Sequence, residues 1–155
     1  MSSWYYFVAQ LPTLSLDSEV PMPITEEYFL DLATRYLDKK SLKTLNELSL
    51  EPPREVSKVS STLVKKWFDF ERTLRFTLAE IRARRLKKEV DIQLKECPAF
   101  ILEIARTACG FESPLEAELY LAKQRMNYLT SITPSDIFCT DSVFAYALKL
   151  KLLAR

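Results

Sequence analysis

The stretch SKVSSTLVKKWFDFERTLRFTLAEIRARRLKK, residues Ser57–Lys88, predicts the element around which the rest of the chain is arranged. Its apolar residues recur at steps of four, three, four, four and three, which is the spacing of one face of an α-helix. They are Leu63, Trp67, Phe70, Leu74, Leu78 and Ile81. At 100° per residue these side chains fall within about 80° of arc. The stretch therefore predicts one long helix with a stripe that faces a core.

The same helix carries apolar groups outside that stripe. Phe68 lies on one flank, together with Arg72, Arg75 and Arg82, and Phe76 lies near the opposite side. Apolar groups on two sides are typical of a helix that is covered by more than one neighbour. We therefore expect the long helix to be the central strut of the fold.

Two helices are predicted before it. Thr25 is a good N-cap, since its hydroxyl can accept from free backbone N–H groups, and the acidic residues that follow it favour the positive end of a helix dipole. This helix should run to about Leu37, and Ser41–Leu48 should form a short second one. The aromatic run Trp4–Phe7 fits a short strand or a helical turn equally well, and in either case we expect most of it to be buried.

Three more helices are predicted after it. Pro98 opens the first at a tolerated position, and Gly110 stands where a left-handed C-cap would end it. Ser113-Pro-Leu-Glu116 is a capping box for the next helix. The apolar stripe of that helix consists of Leu115, Leu119, Ala122, Met126 and Leu129. The last helix, which runs to about Leu153, is apolar on two sides and should be sandwiched between neighbours.

These elements predict an all-α fold of about six helices around the long one, in a single domain of residues 1–155. Residues 1–56 would supply the aromatic segment and short helices, residues 57–90 the long helix, and residues 91–155 the C-terminal helices. No run of apolar residues approaches the ~20 that a membrane span needs, and the N-terminus lacks the pattern of a signal peptide. These features predict a cytoplasmic protein.

Composition argues against the usual catalytic and metal sites. The chain contains no histidine, one glycine and three cysteines, Cys97, Cys109 and Cys139, without metal-binding spacing. The commonest general base, the commonest metal ligand and every glycine-rich phosphate loop are therefore missing. We expect a non-catalytic protein without cofactor or metal, whose cysteines are buried thiols.

Two stretches together resemble a known family. Trp67–Arg85 contains an aromatic pair, then Leu74-Arg75, then Arg82-Ala83 before further basic residues. Ser113–Arg155 joins a Pro-Leu-Glu-Ala-Glu segment to VFAYALKLKLLAR, in which Ala145-Tyr146 and Lys149 match the end pattern. Both resemble an uncharacterised bacterial family that accompanies V-type ATPases and is similar to the C/d subunit of V-type and archaeal-type ATPases. The segment Trp4–Leu11 with the helix after it is similar to the start of a repeat in that C/d subunit.

The resemblance implies a non-catalytic coupling or accessory component of a rotary ion pump. Its partners would be the central-stalk subunits and the membrane rotor ring, and it would lie on the cytoplasmic side of the inner membrane, peripheral to it. A complete C/d subunit has about three helical units, and this chain has room for about one. The resemblance therefore implies one unit of that fold rather than the whole socket.

The candidate contact residues are basic and lie on the long helix. Residues 65–88 hold nine basic and three acidic side chains, whereas the remaining parts of the chain are mildly acidic. The possible partner-binding residues are Arg72, Arg75, Arg82, Arg84, Arg85, Lys87 and Lys88. The basic run Arg82–Lys88 at the end of this helix has three interpretations: a solvated helix end favoured by the dipole, a docking surface for an acidic stalk or ring partner, or a nucleic-acid contact. Nucleic acid is the least favoured of these partners, because the aromatic residues fall on the core stripe. The alternative function is a free-standing helical adaptor that binds nucleic acid or a regulatory protein through this end.

Overall fold

The computed structural model describes residues 2–16, 21–53, 61–86, 97–136 and 138–154, and within them it contains seven α-helices and no strand. The helices are α1 (Ser2–Ala9), α2 (Glu26–Tyr36), α3 (Lys39–Glu47), α4 (Thr62–Arg85), α5 (Ala99–Gly110), α6 (Pro114–Ile132) and α7 (Thr140–Leu153). The predicted all-α class is confirmed. The aromatic run Trp4–Phe7, which fitted a strand or a helical turn equally well, lies in helix α1.

Helix α4 is shorter than the predicted Ser57–Lys88. Its N-cap is Ser61, whose backbone is extended and whose Oγ accepts a hydrogen bond from the Val64 N–H at 3.3 Å. The same hydroxyl donates to Asp141 Oδ1 at 2.6 Å, so the start of α4 is tied to the first turn of α7. The helix ends at Arg85, and Leu86 caps it. Residues 57–60 and 87–88 of the predicted helix lie outside the described residues.

The predicted stripe of α4 is buried as expected. Five of its six members, from Leu63 to Leu78, are at most 5% exposed, and Ile81 is partly buried against the same core. Three helices, α5, α6 and α7, pack along α4. Phe68 is buried as well, but Phe76 is mostly exposed. The second apolar side is therefore covered at Phe68 and uncovered at Phe76.

Helix α7 is enclosed on more sides than α4. It packs against α2, α3, α4 and α6, which confirms that it is sandwiched. Half of its residues are buried: Val143, Phe144, Ala145, Ala147, Leu148, Leu150 and Leu152. Sequence periodicity predicted α4 as the one central helix, whereas the structure divides that position between α4 and the shorter α7.

Among the side chains of α1 that the structure describes, Phe7 is buried in this core. The ring of Phe7 lies 5.9 Å from those of Phe29 and Tyr36 on α2 and is fully buried. Tyr6 is mostly exposed, so the prediction of burial is wrong for that residue. The predicted burial of Trp4 and Tyr5 falls on side chains outside the described set.

Helix α6 has the predicted start but not the predicted inner face. Ser113 caps it by accepting from the Glu116 N–H at 3.4 Å. The stripe that begins with Leu115 and Leu119 was predicted to face the core, but these two residues are 68% and 62% exposed. The buried residues of α6 are Ala117, Leu121, Arg125 and Leu129. Only the last predicted member, Leu129, is fully buried.

The end of α5 also differs from the prediction. Gly110 is the last residue of the helix rather than a left-handed cap after it, and Phe111 follows in an extended conformation. Gly110 and Phe111 therefore end α5 without a positive φ.

The contacts fix the relative direction of α4 and α6. Arg125 contacts Glu71, and one turn later the Tyr128 hydroxyl donates to the Lys66 carbonyl at 3.3 Å, one turn earlier on α4. The two helices are therefore antiparallel, and the first turns of α6 lie toward the last turns of α4. Helix α5 also reaches this end, because Arg85 contacts the Cys109 carbonyl.

Candidate interaction surface

The two candidate arginines in the middle of α4 are bound within the chain. Arg72 donates from Nη2 to the Pro53 carbonyl oxygen at 2.8 Å and lies 3.9 Å from the Asp69 carboxylate. Arg75 donates from Nε to Glu71 Oε2 at 2.8 Å, and its Nη1 lies 3.7 Å from Glu51. These guanidinium groups fasten the segment before α4 to the middle of that helix.

The partner of Arg75 belongs to a buried ion pair that sequence reasoning missed. Glu71 is fully buried and accepts from Arg125 Nε at 2.6 Å, with Nη2 of the same guanidinium 3.4 Å from the other carboxylate oxygen. Arg125 is itself only 6% exposed. A buried carboxylate is tolerated when it is paired and hydrogen-bonded, and this one has two guanidinium partners. The sequence held one signal: Arg125 is four residues from both Leu121 and Leu129, on their face of α6.

The last turn of α4 carries the arginines that remain for a partner. Arg82, Arg84 and Arg85 are exposed. Arg85 donates to the Cys109 carbonyl, whereas the side chains of Arg82 and Arg84 have no hydrogen bond or ion pair within the described part of the chain. Lys87 and Lys88, the other two candidates, lie outside the described residues. The candidate set is therefore divided: Arg72, Arg75 and Arg85 are bound within the chain, whereas Arg82 and Arg84 are available to a partner.

Sequence reasoning missed a further arginine near this end. Arg106 is exposed on α5, one turn before Cys109, the residue whose carbonyl binds Arg85. We call Arg82, Arg84, Arg85 and Arg106 the basic end. A cluster of arginines attracts carboxylates through charge-assisted, often bidentate hydrogen bonds. Such a surface suits an acidic partner.

The aromatic residues of the α4 stripe are not available for base stacking, whereas Phe76 of the same helix is exposed. Trp67 and Phe70 are at most 2% exposed, and the ring of Phe70 stacks on Tyr128 at a centroid distance of 4.0 Å. Single-stranded nucleic acids are usually bound by aromatic faces that bases can reach. The ring of Phe70 is covered by α6 instead.

The two lysines of α7, of which Lys149 matches the family pattern, are partly buried. Lys149 lies in a cleft of about 290 Å³ between α1, α7 and the end of α6, and its partial burial lowers the pKa of its ammonium group. Tyr146 lines the same cleft and donates to the Pro12 carbonyl at 2.6 Å, and burial raises the pKa of its phenol to about 12. Lys151 forms an ion pair with Glu26 on α2.

The residues that the structure describes contain no group of three or more histidine, cysteine, aspartate or glutamate side chains placed to hold a metal ion. Their three cysteines are free thiols. Cys109 is buried as predicted, while Cys97 and Cys139 are only partly buried. Among the described helices, none combines the length and apolar character that crossing a membrane requires.

Comparison with known proteins places most of the chain within one family model. That model, described as a protein of unknown function (DUF2764), matches residues 14–112, which include α2 to α5. No curated protein and no solved structure matches the chain.

Proposed function

Since the chain belongs to the DUF2764 family of proteins of unknown function, we propose its role from its own residues: a non-catalytic component of a V-type ATPase, similar to the C/d subunit. In this role it couples the membrane rotor ring to the central stalk, or assists that coupling, during ion transport. It lies on the cytoplasmic side of the inner membrane and is held there by its partners.

The observation that carries the proposal is that two stretches far apart in the sequence pack against each other. The sequence resembles the ATPase-associated family in Trp67–Arg85 and in Ser113–Arg155, which are far apart along the chain. The first forms most of α4, and the second forms α6 and α7, which both pack on α4. The resemblance therefore follows one packed helical unit rather than two unrelated segments.

The contacts within that unit explain several of the matching residues. Arg75 holds Glu71, which in turn binds Arg125 of α6, and Tyr146 fastens α7 to the segment after α1. Such residues maintain the shape of the unit. Arg82, by contrast, belongs to the matching pattern, but its side chain makes no such bond in the described part of the chain, so it supports a role at a partner surface.

We propose that the basic end contacts an acidic surface of a stalk or ring subunit. The test uses the affinity-tagged full-length protein expressed in its own cells, with partners recovered at low salt and identified by mass spectrometry. The variant Arg82→Glu/Arg84→Glu reverses two exposed charges without breaking an internal bond that the structure shows. We expect recovery of ATPase subunits with the wild-type protein and at least roughly a tenfold loss with the variant, since reversing charge at a complementary interface penalises association.

The matched control is Lys39→Glu/Lys43→Glu, which makes the same change in net charge on exposed positions of α3. It should leave recovery unchanged. Equal recovery with both double variants would contradict the proposed surface but not the proposed role. Absence of every V-type ATPase subunit from the wild-type eluate would contradict the role itself.

A further inference from the structure

Helix α6 has an apolar stripe beside its buried face, and the described chain covers this stripe only at one end. Leu115, Leu119, Ala122 and Met126 follow one another at steps of four, three and four residues, which is the heptad spacing of helices that pair. At 100° per residue, the middle of this stripe lies about 110° from the middle of the buried face that contains Leu121, so the two adjoin. Leu115 and Leu119 are mostly exposed, while Ala122 and Met126 are partly buried. We call these four residues the outer stripe.

A contiguous apolar stripe of this kind differs from single exposed leucines, which are normal on protein surfaces. Two features separate it from an ordinary solvent face. It keeps its heptad spacing for about three turns, and a charged residue, Arg125, occupies the inner face of the same helix. An apolar stripe on a helix usually faces a neighbour along its whole length.

Two charged residues beside the outer stripe have opposite signs, as pairing with a second copy of the chain requires. Glu116 and Lys123 are exposed and seven residues apart, so they lie on the same flank of α6, about 20° apart at 100° per residue. Neither side chain forms an ion pair within the described residues. They also lie equally far on either side of a point between Leu119 and Tyr120.

This arrangement matches a two-fold axis. When two identical helices pair antiparallel, each flank meets the same flank of the copy, and residues equally distant from the axis face each other. With the axis beside Leu119, Glu116 of one chain faces Lys123 of the other, and the pair occurs twice. The Leu119 side chains of both chains then meet at the centre, shielded from water.

We propose that the outer stripe of α6 is a dimerisation surface that binds a second copy of this chain in antiparallel, two-fold symmetric fashion. The inference rests on α6 alone and does not depend on the proposed ATPase role. The stripe is short, so the dimer is weak and forms reversibly at micromolar or higher concentrations.

The experiment is sedimentation equilibrium of the full-length protein at about 50 mM salt, where exposed charges are weakly screened. We expect the average mass to rise with protein concentration toward twice the chain mass. Each single variant, Glu116→Lys or Lys123→Glu, brings like charges together at both symmetry-related contacts. It should weaken the dimer on the order of tenfold. The double variant Glu116→Lys/Lys123→Glu restores the pairing with exchanged signs and should recover the wild-type association.

Matched controls separate the stripe from general surface effects. Glu103→Lys makes the same charge change as Glu116→Lys on an exposed position of α5, and Leu86→Ser changes an exposed leucine outside the stripe as Leu119→Ser changes one inside it. Only Glu116→Lys and Leu119→Ser should weaken the dimer, and circular dichroism verifies that each variant stays helical.

Three results would overturn the proposal. One is a wild-type protein that stays monomeric up to about 1 mM, which would mean that another segment of the chain or a different protein covers the stripe. Another is a double variant that does not recover association. The third is a dimer that persists unchanged in Leu119→Ser, because its interface would then lie elsewhere.

Discussion

At the scale of single residues, the feature that decides most is the carboxylate of Glu71 in the core. It joins Arg125 of α6 to Arg75 of its own helix, and Arg75 extends the network to Glu51 at the surface. At 100° per residue, Glu71 lies next to the arc of the apolar stripe. Local sequence could not identify its partner, because the guanidinium that neutralises it comes from a helix more than fifty residues away.

Removing one partner of this pair should be costly. Arg125→Leu leaves Glu71 buried with only the partly exposed Arg75, and we expect a loss of about 3 kcal/mol in the free energy of unfolding, measured by urea titration. Arg35→Leu is the control, since Arg35 binds Asp31 in an exposed pair and should lose less than about 1 kcal/mol. Replacing the pair together, as Glu71→Met/Arg125→Leu, should restore much of the stability. Equal losses for Arg125→Leu and Arg35→Leu would show that the buried pair contributes no more to stability than the exposed pair.

Tyr146 should make the fold sensitive to alkali. The folded protein holds the phenol proton more tightly than the unfolded chain does, since burial raises the pKa from its usual 10 to about 12. Stability from this group is therefore complete below pH 10 and is lost as the pH rises toward 12. Lys149 acts in the opposite direction, because its lowered pKa makes the folded state release its proton first, so stability from that group rises with pH up to its ordinary value near 10.5.

The measurement is the melting temperature between about pH 9 and about pH 11.5, which brackets the ordinary pKa of tyrosine. We expect Tyr146→Phe to be less stable than wild type at the lower pH, because it loses the hydrogen bond to Pro12, and to decline less steeply as the pH rises. Parallel curves for the two proteins would contradict the assignment. Lys149→Met in the same series isolates the opposing contribution of the lysine.

At the scale of helices, the periodicity of the sequence predicted which helices form better than it predicted which of their faces are buried. The stripe of α4 is buried as predicted, and the caps at Thr25 and Ser113 form their hydrogen bonds. In α6, however, the first members of the predicted stripe, Leu115 and Leu119, face solvent, while a face with Arg125 is inside. Periodicity ranks faces by hydrophobicity alone, and it cannot detect that an arginine becomes suitable for burial when a carboxylate lies opposite it. The starting point of α4 was also missed, because Ser61 is fixed by Asp141 of a distant helix.

At the scale of the whole molecule, the helices after residue 112 complete the core of those before it. The family match ends there, yet α6 supplies the partner of Glu71, and α7 packs against α2, α3 and α4. The class of the fold followed from helix signals alone, but this arrangement did not, because contacts between distant helices depend on packing directions that local patterns leave open.

A fragment of residues 14–112 should therefore fail to fold by itself. It would expose the inner faces of α2 and α4 and leave the Glu71 carboxylate without Arg125. We expect low helicity by circular dichroism and no cooperative thermal transition, in contrast to the full-length chain. Adding the separate fragment 113–155 should raise the helicity if the two parts reassociate. A cooperative transition for residues 14–112 alone would show that the later helices are an addition to an independent core.

The buried ion pair also restricts how the sequences of proteins with this fold can diverge. Losing either charge alone leaves the other buried without its full complement, whereas losing both together gives an apolar contact that costs little. Among relatives that keep this packing, the positions of Glu71 and Arg125 should thus change in step, either as an acid with a base or as two apolar residues. Single losses should be rare. Covariation between these two columns of an alignment would then reveal that α6 lies against α4 even in members of low overall identity.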